Sequence, residues 1–301
     1  MSDSRRGLAF GAGAYILWGL FPLYWPLLKP AGPLEILAHR FVWSLVVVLI
    51  ILAIQRRWRW IPALLRRPRR VAMLVLAAVF IAANWWTYIY GVNTGRVVET
   101  SLGYFINPLV TVMMGVVLLR ERLRRVQWLA LGLGAIAVLV LAIDYGRLPW
   151  IALVLAFSFA SYGLIKKVLS MDAVQSLTAE TAVLFLPALG VLLLMGGGTF
   201  TLHGPAQDTL LATSGVVTAI PLLLFGASAR RLPLSTLGLL QYFGPALQFI
   251  IGVGVYHEPM PLSRLLGFAL VWAALVMLTV DGLRNGRRRS RTPEALEPVA
   301  G

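Results

Sequence analysis

The sequence contains no cysteine in 301 residues and has few charged side chains. The absence of cysteine excludes disulfide frameworks, thiolate nucleophiles and cysteine-ligated metal sites. Only 13% of the residues are charged, whereas 59% are hydrophobic and the mean hydropathy is +0.80. A water-soluble domain of this length needs far more polar surface. The composition therefore indicates a membrane protein.

Acidic residues are also scarce, twelve against 27 lysines and arginines, and the net charge is +15. The basic residues lie in short gaps between apolar stretches and form no continuous basic face, so we expect no nucleic-acid partner. Three histidines and scattered acids offer no metal-binding cluster, and no Ser-His-acid set shares a helix face. We therefore expect no metal, no cofactor and no catalytic activity.

Ten apolar stretches of roughly 20 residues are long enough to cross the hydrocarbon core of a bilayer. We predict an all-α polytopic membrane protein with ten transmembrane helices, at residues 7–29, 33–54, 71–93, 97–119, 126–143, 148–169, 172–195, 208–228, 233–256 and 261–281. Ten spans place both termini on one side. That side carries 22 of the 27 basic residues and the opposite side carries four, so the positive-inside rule predicts cytoplasmic termini.

The second half of the chain repeats features of the first. Four pairs of residues coincide at an offset of 137: Pro108 and Pro245, Gly115 and Gly252, Glu121 and Glu258, and Asp144 and Asp281. Five spans in each repeat is an odd number, so the second repeat must run inverted through the membrane. We predict residues 1–145 as the first five-helix repeat, 146–283 as the second, inverted repeat, and 284–301 as a disordered basic cytoplasmic tail. Inverted repeats underlie many secondary transporters, with the substrate near the midplane.

Polar residues inside predicted spans are candidates for function, because burying them in a bilayer is costly. Arg40 lies seven residues into the second span, and we predict that it lines a cavity and holds an anionic or polar group of a substrate. The alternative is a structural pair, or a side chain that reaches the interface. Glu180 lies in the seventh span at a depth that allows pairing with Arg40 through a water or a substrate. We predict a role for Glu180 in proton coupling, with a fixed ion pair as the alternative.

Further candidates for substrate binding combine hydrogen-bonding groups with aromatic walls, as small-molecule pockets do. They lie in the second, third, fourth and ninth spans: His39, Asn84, Tyr88, Tyr104, Asn107 and Gln241. Pro108 and Pro245 lie near the middle of spans four and nine, where each removes a backbone donor, and we expect these spans to be kinked or broken there as hinges. We also expect Glu99 to pair with Arg96, three residues before it, at the outer surface.

Several of these segments resemble the RarD-type subgroup of the EamA family, within the drug/metabolite transporter superfamily. The resembling segments are 35–44 (EILAHRFVWS), 84–85 (NW), 101–110 (SLGYFINPLV), 179–181 (AET) and 241–245 (QYFGP). The likeness covers almost the whole chain except the basic tail. It implies ten helices in inverted repeats, alternating access and the bacterial cytoplasmic (inner) membrane. It implies less about the substrate, because the subgroup is named for chloramphenicol sensitivity or resistance and relatives move amino acids, sugars or drugs.

Together these observations favour a secondary transporter in the lipid bilayer, an exporter of small polar or amphipathic metabolites or drugs with protons as the coupling ion. The alternatives are a non-transporting membrane scaffold or receptor, and a membrane-embedded enzyme. An enzyme would need a metal-binding acid cluster or a nucleophile–base set, which the sequence lacks. A scaffold would not need prolines at the midplane of both halves.

Overall fold

The computed structural model describes residues 3–56, 58–120, 122–169, 171–229, 231–232 and 234–289. All regular structure in these residues is helical, which confirms the predicted all-α class. The described helices are α1 (Asp3–Tyr24), α2 (Pro33–Gln55), α3 (Trp60–Leu65), α4 (Pro68–Asn93), α5 (Val97–Leu119), α6 (Arg125–Tyr145), α7 (Trp150–Leu169), α8 (Ala173–Leu194), α9 (Pro205–Ala229), α10 (Leu234–Leu240), α11 (Phe243–Gly254) and α12 (Leu262–Arg289). A 3₁₀ turn, Trp25–Leu28, extends α1.

Eight of the described helices are long and apolar enough to cross a membrane. The sixth and ninth predicted spans correspond to shorter apolar helices, Trp150–Lys166 within α7 and Phe243–Gly254. The short helix α3 lies in the basic segment between the second and third predicted spans. The structure thus shows a helical membrane protein whose elements follow the order of the predicted spans.

Local sequence explains where several helices begin and end. The first residues of α2 and α4 are Pro33 and Pro68, and a proline costs nothing at the first helical position because its missing N–H has no partner there. α6 ends at Gly146, whose φ of +62° is a left-handed conformation that glycine adopts without steric cost. α8 follows Asp172, whose carboxylate accepts a 3.0 Å hydrogen bond from the Val174 N–H.

The two predicted hinge prolines occupy different positions in their helices. Pro108 lies inside α5, which is not broken there. Pro245 is the third residue of α11, where the backbone N–H would have no partner within the helix in any case. The ninth predicted span is divided just before it, at Gln241 and Tyr242, between α10 and α11.

Helix packing joins the two halves of the chain along their length. α1 packs against α9 and α11, and α7 packs against α4 and α5. α2 contacts α8 and α9, α6 contacts α12, and α5 contacts α11. One apolar core is built mainly from α1, α2, α4 and α7, and a second is built from α5, α6, α7 and α12. The first of these cores surrounds the candidate site.

The segments between helices gather at two faces. Segments 29–32, 94–96, 146–149, 195–204 and 255–261 belong to one face, which we call the outer face after the predicted topology. There the Glu258 carboxylate, beyond α11, accepts hydrogen bonds from the first N–H groups of α5. At the other, inner face, the start of the chain meets the connection after α9, where Arg231 lies 3.1 Å from Asp3.

The C-terminal end of the second predicted repeat differs from the prediction. α12 continues to Arg289, so residues 284–289 are helical and do not belong to a disordered tail. Residues 290–301 lie outside the described residues, as does Glu121, one member of the repeat pairs.

Candidate functional site

Arg40 is buried among the helices, with only 3% of its surface exposed. It lies on α2, and its Nε donates a 2.7 Å hydrogen bond to Oγ1 of Thr218 on α9. Within the part of the chain that the structure describes, this is the one hydrogen bond of Arg40. Because α2 and α9 come from different halves of the chain, this hydrogen bond joins the two halves.

Aromatic rings surround the guanidinium of Arg40. Its Cζ lies 3.6 Å from the ring centroid of Trp85, 4.9 Å from that of Trp25 and 5.7 Å from that of Phe21. A cation within about 6 Å of an aromatic face gains roughly 0.5–2 kcal/mol from the quadrupole of the ring. We call Arg40 and these three rings the aromatic cage.

No carboxylate among the described residues neutralises Arg40. Each of the nine described acidic residues has a different partner: Asp3 with Arg231, Glu35 with Thr199, Glu99 with Arg147, Asp144 with Arg264, Asp172 with Val174, Glu180 with Lys166, Asp208 with Thr201, Glu258 with Val97 and Asp281 with Arg124. A buried charge without a counter-charge costs several kcal/mol, and more in a membrane. The aromatic cage therefore holds a positive charge that its described surroundings do not balance.

Two of the predicted residues, Tyr104 and Asn84, are joined by a hydrogen bond near Arg40, and a third, Tyr88, packs beside them. Tyr104 Oη donates a 3.1 Å hydrogen bond to Asn84 Oδ1, and Asn84 Nδ2 donates to Ser158 Oγ and to a backbone carbonyl of α7, both at 3.0 Å. The Tyr88 ring packs edge-on against Tyr104 with 5.8 Å between centroids. Tyr104 and Tyr88 are close enough to Arg40 to interact with it electrostatically. The structure thus brings together four residues that the sequence selected separately.

Two buried polar atoms of predicted residues have no hydrogen-bond partner among the described residues, Tyr88 Oη and His39 Nε2. Tyr88 is 3% exposed and His39 is 4% exposed. His39 Nδ1 accepts from Trp43 Nε1 at 3.3 Å, which assigns the proton of the neutral ring to Nε2. Buried polar atoms are nearly always paired in folded proteins. Both atoms are therefore available to a ligand.

His39 faces the outer segment 195–204. The Phe200 ring lies 5.0 Å from the His39 ring, centroid to centroid. The Thr199 N–H and hydroxyl donate to Glu35 Oε1 at 2.5 and 2.8 Å. Gly198 has a φ of +64°, and a Cβ there would lie 2.3 Å from Glu35 Oε1, so only glycine permits this close approach. Segment 195–204 therefore packs over α2 at His39, the residue that precedes Arg40.

Glu180 does not pair with Arg40, and the prediction that it could do so is wrong for this conformation. Its Oε1 lies 2.8 Å from Lys166 Nζ and accepts from Ser176 Oγ at 2.8 Å, while Oε2 accepts from Tyr162 Oη at 3.0 Å. Depth along a helix could be estimated from the sequence, but the direction in which Glu180 faces depends on packing. It faces Lys166 on α7.

The other predicted site residues lie in α5, in α11 or just before α11, and they make no hydrogen bond to Arg40 among the described residues. Asn107 Nδ2 donates to the Ala156 carbonyl of α7 at 3.0 Å. Gln241 is half-buried at the break between α10 and α11. Pro108 is half-buried beside Asn107, and Pro245 is buried. These residues belong to α5 and α11 or to the break before α11, and they are not part of the aromatic cage.

Glu99 pairs with Arg147 and not with Arg96, so the predicted surface pair is wrong. Arg147 Nη2 and Nη1 donate to the two carboxylate oxygens of Glu99 at 2.6 and 3.3 Å, and the Ile151 N–H donates at 3.2 Å. These hydrogen bonds raise the pKa of the Arg147 guanidinium above its ordinary value. Glu99 is 2% exposed because it faces α7, whereas Arg96 precedes the first turn of α5.

Several residues of these interactions were not predicted as site residues from the sequence, among them Phe21, Trp25, Lys166 and Thr218. Thr218 carried a usable signal, because Ser214 and Thr218 lie four residues apart in apolar α9 and so share a helix face. No local pattern links Phe21 or Trp25 to Arg40, since their contact arises only when α1 packs beside α2.

The chain is similar to bacterial membrane proteins over its full length. Residues 5–143 match the model described as the EamA-like transporter family. The chain is 60% identical over 301 residues to the protein RarD of Streptomyces exfoliatus, covering 99% of this chain and 96% of that protein. It is 43% identical over 295 residues to the uncharacterized transporter YojE of Bacillus subtilis (strain 168), covering 94% and 96%. A crystal structure of a 17% identical protein superposes with a TM-score of 0.58 over 95% of this chain and 99% of that one, a likeness of fold alone.

Proposed function

The chain belongs to the EamA-like transporter family and to its RarD-type subgroup, and we propose that it is a secondary transporter. It exports small polar or amphipathic molecules across the bacterial cytoplasmic membrane by alternating access. The observation that carries this proposal is the aromatic cage, in which an unneutralised cation lies between the two halves of a helix bundle. A buried binding group at the meeting point of two halves is where secondary transporters hold their substrates.

The packing pattern supports two inverted five-helix repeats and ten spans, with α10 and α11 together forming one span. In the first half, α1 packs against α9 and α11; its counterpart in the second half, α7, packs against α4 and α5. The pairs α2–α8, α5–α11 and α6–α12 each join counterparts. The α6–α12 pair also carries an ion pair at each end, between Asp144 and Arg264 at 2.8 Å and between Arg124 and Asp281 at 2.6 Å. A pseudo-twofold axis in the membrane plane accounts for this pattern.

The contacts at the outer face support alternating access. Arg40 is 3% exposed, so a substrate can reach it only after the halves move apart. Several hydrogen bonds join the halves at the outer face, among them Tyr256 Oη to the Pro22 carbonyl at 2.7 Å and Gln207 Nε2 to the Leu28 carbonyl at 2.6 Å. This conformation is closed to the outside, and opening it requires these contacts to break. In this topology both termini lie in the cytoplasm, on the side that carries more lysine and arginine.

We propose protons as the coupling ion, with Glu180 as the group that carries them. Its carboxylate is buried but linked through Lys166, a quarter of whose side chain is exposed, toward the inner face. A buried carboxylate that exchanges partners between conformations is suited to couple proton movement to transport. Glu180→Gln should abolish uptake or efflux driven by a pH gradient while leaving exchange of substrate across vesicles intact. Unchanged gradient-driven transport would remove this role from Glu180.

Intracellular accumulation of labelled compounds tests the transport function. Cells that lack their own exporters would express the wild type, Arg40→Ala, the matched control Arg96→Ala or an empty vector, and would receive chloramphenicol and a panel of amino acids. We expect wild type and Arg96→Ala to lower the accumulation of at least one compound and Arg40→Ala to lose this effect. Equal accumulation in all four strains, with the proteins present in the membrane, would contradict the export of these compounds. Full export by Arg40→Ala would contradict this site.

A further inference from the structure

We propose that the substrate is a small organic monocarboxylate whose carboxylate binds Arg40 inside the aromatic cage. The inference rests on the proposed transport function and adds the chemical class of the substrate. It follows from charge, from the geometry of the guanidinium and from a buried hydroxyl for which the described residues supply no acceptor.

The charge argument is that a bound anion completes the site. All nine described carboxylates have other partners, and Arg40 is 3% exposed, so neither an acidic side chain of the described residues nor bulk water compensates the charge. Three aromatic faces attract the cation through their quadrupoles, but they carry no net charge. The rings lower the cost of the buried cation without replacing a counter-ion. A single cation calls for a substrate with a single negative charge.

The guanidinium is oriented for a planar two-oxygen ligand. Thr218 accepts the hydrogen bond of Nε at 2.7 Å, and Trp85 lies 3.6 Å from Cζ. These two contacts fix the plane of the guanidinium, and its terminal nitrogens have no hydrogen-bond partner among the described residues. A carboxylate matches the fork of an arginine with two parallel hydrogen bonds, which a lysine cannot offer.

The Tyr88 hydroxyl supplies a further donor. It is buried, it has no hydrogen-bond partner among the described residues, and it interacts electrostatically with Arg40. The neighbouring Asn84 and Tyr104 are already bonded to each other at 3.1 Å, so they are not free in the same way. A carboxylate that accepts hydrogen bonds from Arg40 and Tyr88 explains why a polar hydroxyl is buried there at all. A purely structural cage of Arg40 and aromatic rings leaves Tyr88 unexplained.

Pairs of compounds that share a shape and differ in charge test this inference on the purified, full-length protein. The probes are benzoate with benzamide, phenylacetate with phenylacetamide and indole-3-acetate with indole-3-acetamide. Binding is measured by the shift in thermal unfolding midpoint and by equilibrium dialysis of the labelled compounds. Transport of the same labelled compounds is measured by counterflow in proteoliposomes. We expect at least one acid to bind about tenfold or more tightly than its amide, since hydrogen bonds to a charged group contribute about 1.5–3 kcal/mol.

Four variants assign the preference to the cage. Arg40→Gln should remove the difference between acid and amide, and Arg40→Lys should keep part of it because the charge remains without the fork. Tyr88→Phe should weaken acid binding several-fold and leave amide binding unchanged. Arg96→Gln removes the same charge from the outer segment 94–96 and should bind like the wild type. Arg40→Lys and Tyr88→Phe keep the test decisive if Arg40→Gln does not fold.

The outcomes distinguish a failure of this inference from a failure of the proposed transport function. Counterflow of amides or other neutral compounds by the wild type, with no preference for the acids, would overturn the carboxylate and leave transport standing. An acid preference that survives in Arg40→Gln would also overturn it. Protection by sodium chloride equal to that by the acids would assign the site to an inorganic anion. No binding and no counterflow of any compound would contradict both the inference and the proposed function.

Discussion

At the scale of single residues, this protein buries charge in two contrasting ways. Glu99 is 2% exposed and accepts hydrogen bonds from both terminal nitrogens of Arg147 and from the Ile151 N–H. Arg40 is buried to a similar degree, but it lies against aromatic faces and donates one hydrogen bond to a hydroxyl. The first arrangement is complete without a ligand, whereas the second has no counter-charge among the described residues and is therefore the one we propose as a binding site.

Removing the charge of Arg147 should destabilise the protein, because Glu99 then stays buried with only one hydrogen bond. Breaking a fully buried ion pair costs about 3–5 kcal/mol. Arg147 is 36% exposed, and because water screens an exposed partner we expect Arg147→Gln to lower the free energy of unfolding by about 1–2 kcal/mol. Arg96→Gln should change it by less than about 0.5 kcal/mol, since Arg96 is not the partner of Glu99. Equal effects of the two variants on denaturation in detergent micelles would restore the Arg96 pairing.

Glu258 should make stability depend on pH. Burial raises the pKa of its carboxyl above the ordinary value of 4.5, while the N–H groups of Val98 and Val97 and the charge of Arg264 act to lower it. At a pH between the ordinary pKa of the unfolded chain and the raised pKa of the folded protein, the folded protein keeps a proton that the unfolded chain has released. The free energy of unfolding therefore falls as the pH rises. Unfolding midpoints from pH 4 to 7 should fall more steeply for the wild type than for Glu258→Gln. Asp3→Asn, at a side chain that is 77% exposed, is the control; parallel profiles for wild type and Glu258→Gln would contradict this prediction.

At the scale of elements, the contact between α2 and α9 sets the position of the site. Gly215 lies one turn before Thr218 on α9, and a Cβ there would lie 2.4 Å from the Trp43 carbonyl carbon and 2.7 Å from the Ser44 nitrogen on α2. Backbone atoms cannot yield as the end of a side chain can. The glycine therefore allows the close approach of the two helices that brings Thr218 to Arg40.

Gly215→Ala should separate α2 from α9 and lower the free energy of unfolding by about 1–3 kcal/mol, the usual cost of overpacking. It should also weaken substrate binding, because Thr218 moves away from Arg40. Gly132→Ala on α6 is the matched control, since nothing lies within 4 Å of its Cβ, and its higher helix propensity should be neutral or stabilising by up to about 1 kcal/mol. The same loss in both variants would mean that the α2–α9 approach is not the cause.

The sequence predicted elements better than it predicted their partners. Apolar runs and breakers placed the helices, because the length of a helix that crosses a bilayer is set by the bilayer. Proline chemistry predicted a discontinuity in the ninth span, but Pro245 fits the start of α11 and the break falls at Gln241 and Tyr242. The same rule predicted a kink or a break at Pro108, and α5 is not broken there. A proline removes one hydrogen bond, and packing decides whether the helix continues past it.

At the scale of the whole molecule, the cost of burying polar groups made much of the site predictable. Arg40, Asn84, Tyr88 and Tyr104 were selected because a polar residue in an apolar span needs a reason to be there. Their mutual contacts come from α2, α4 and α5 meeting around one point, which no local pattern contains. For the same reason the sequence suggested Arg40 as a partner of Glu180, whereas its partner in the structure is Lys166. Lys166 comes close to Glu180 only when α7 and α8 pack together.

Alternating access from both faces to the Arg40 region can be measured directly, because the sequence contains no cysteine. Thr218→Cys places a single thiol against Arg40, and labelling by a membrane-impermeant maleimide is followed in right-side-out and inside-out vesicles. Thr94→Cys, exposed on the outer segment 94–96, controls for sidedness. We expect the Thr218→Cys thiol to be labelled slowly from both sides and to be protected by a transported substrate, while the Thr94→Cys thiol is labelled from one side only. Labelling of Thr218→Cys from a single side, or from neither side in a protein that still transports, would contradict alternating access.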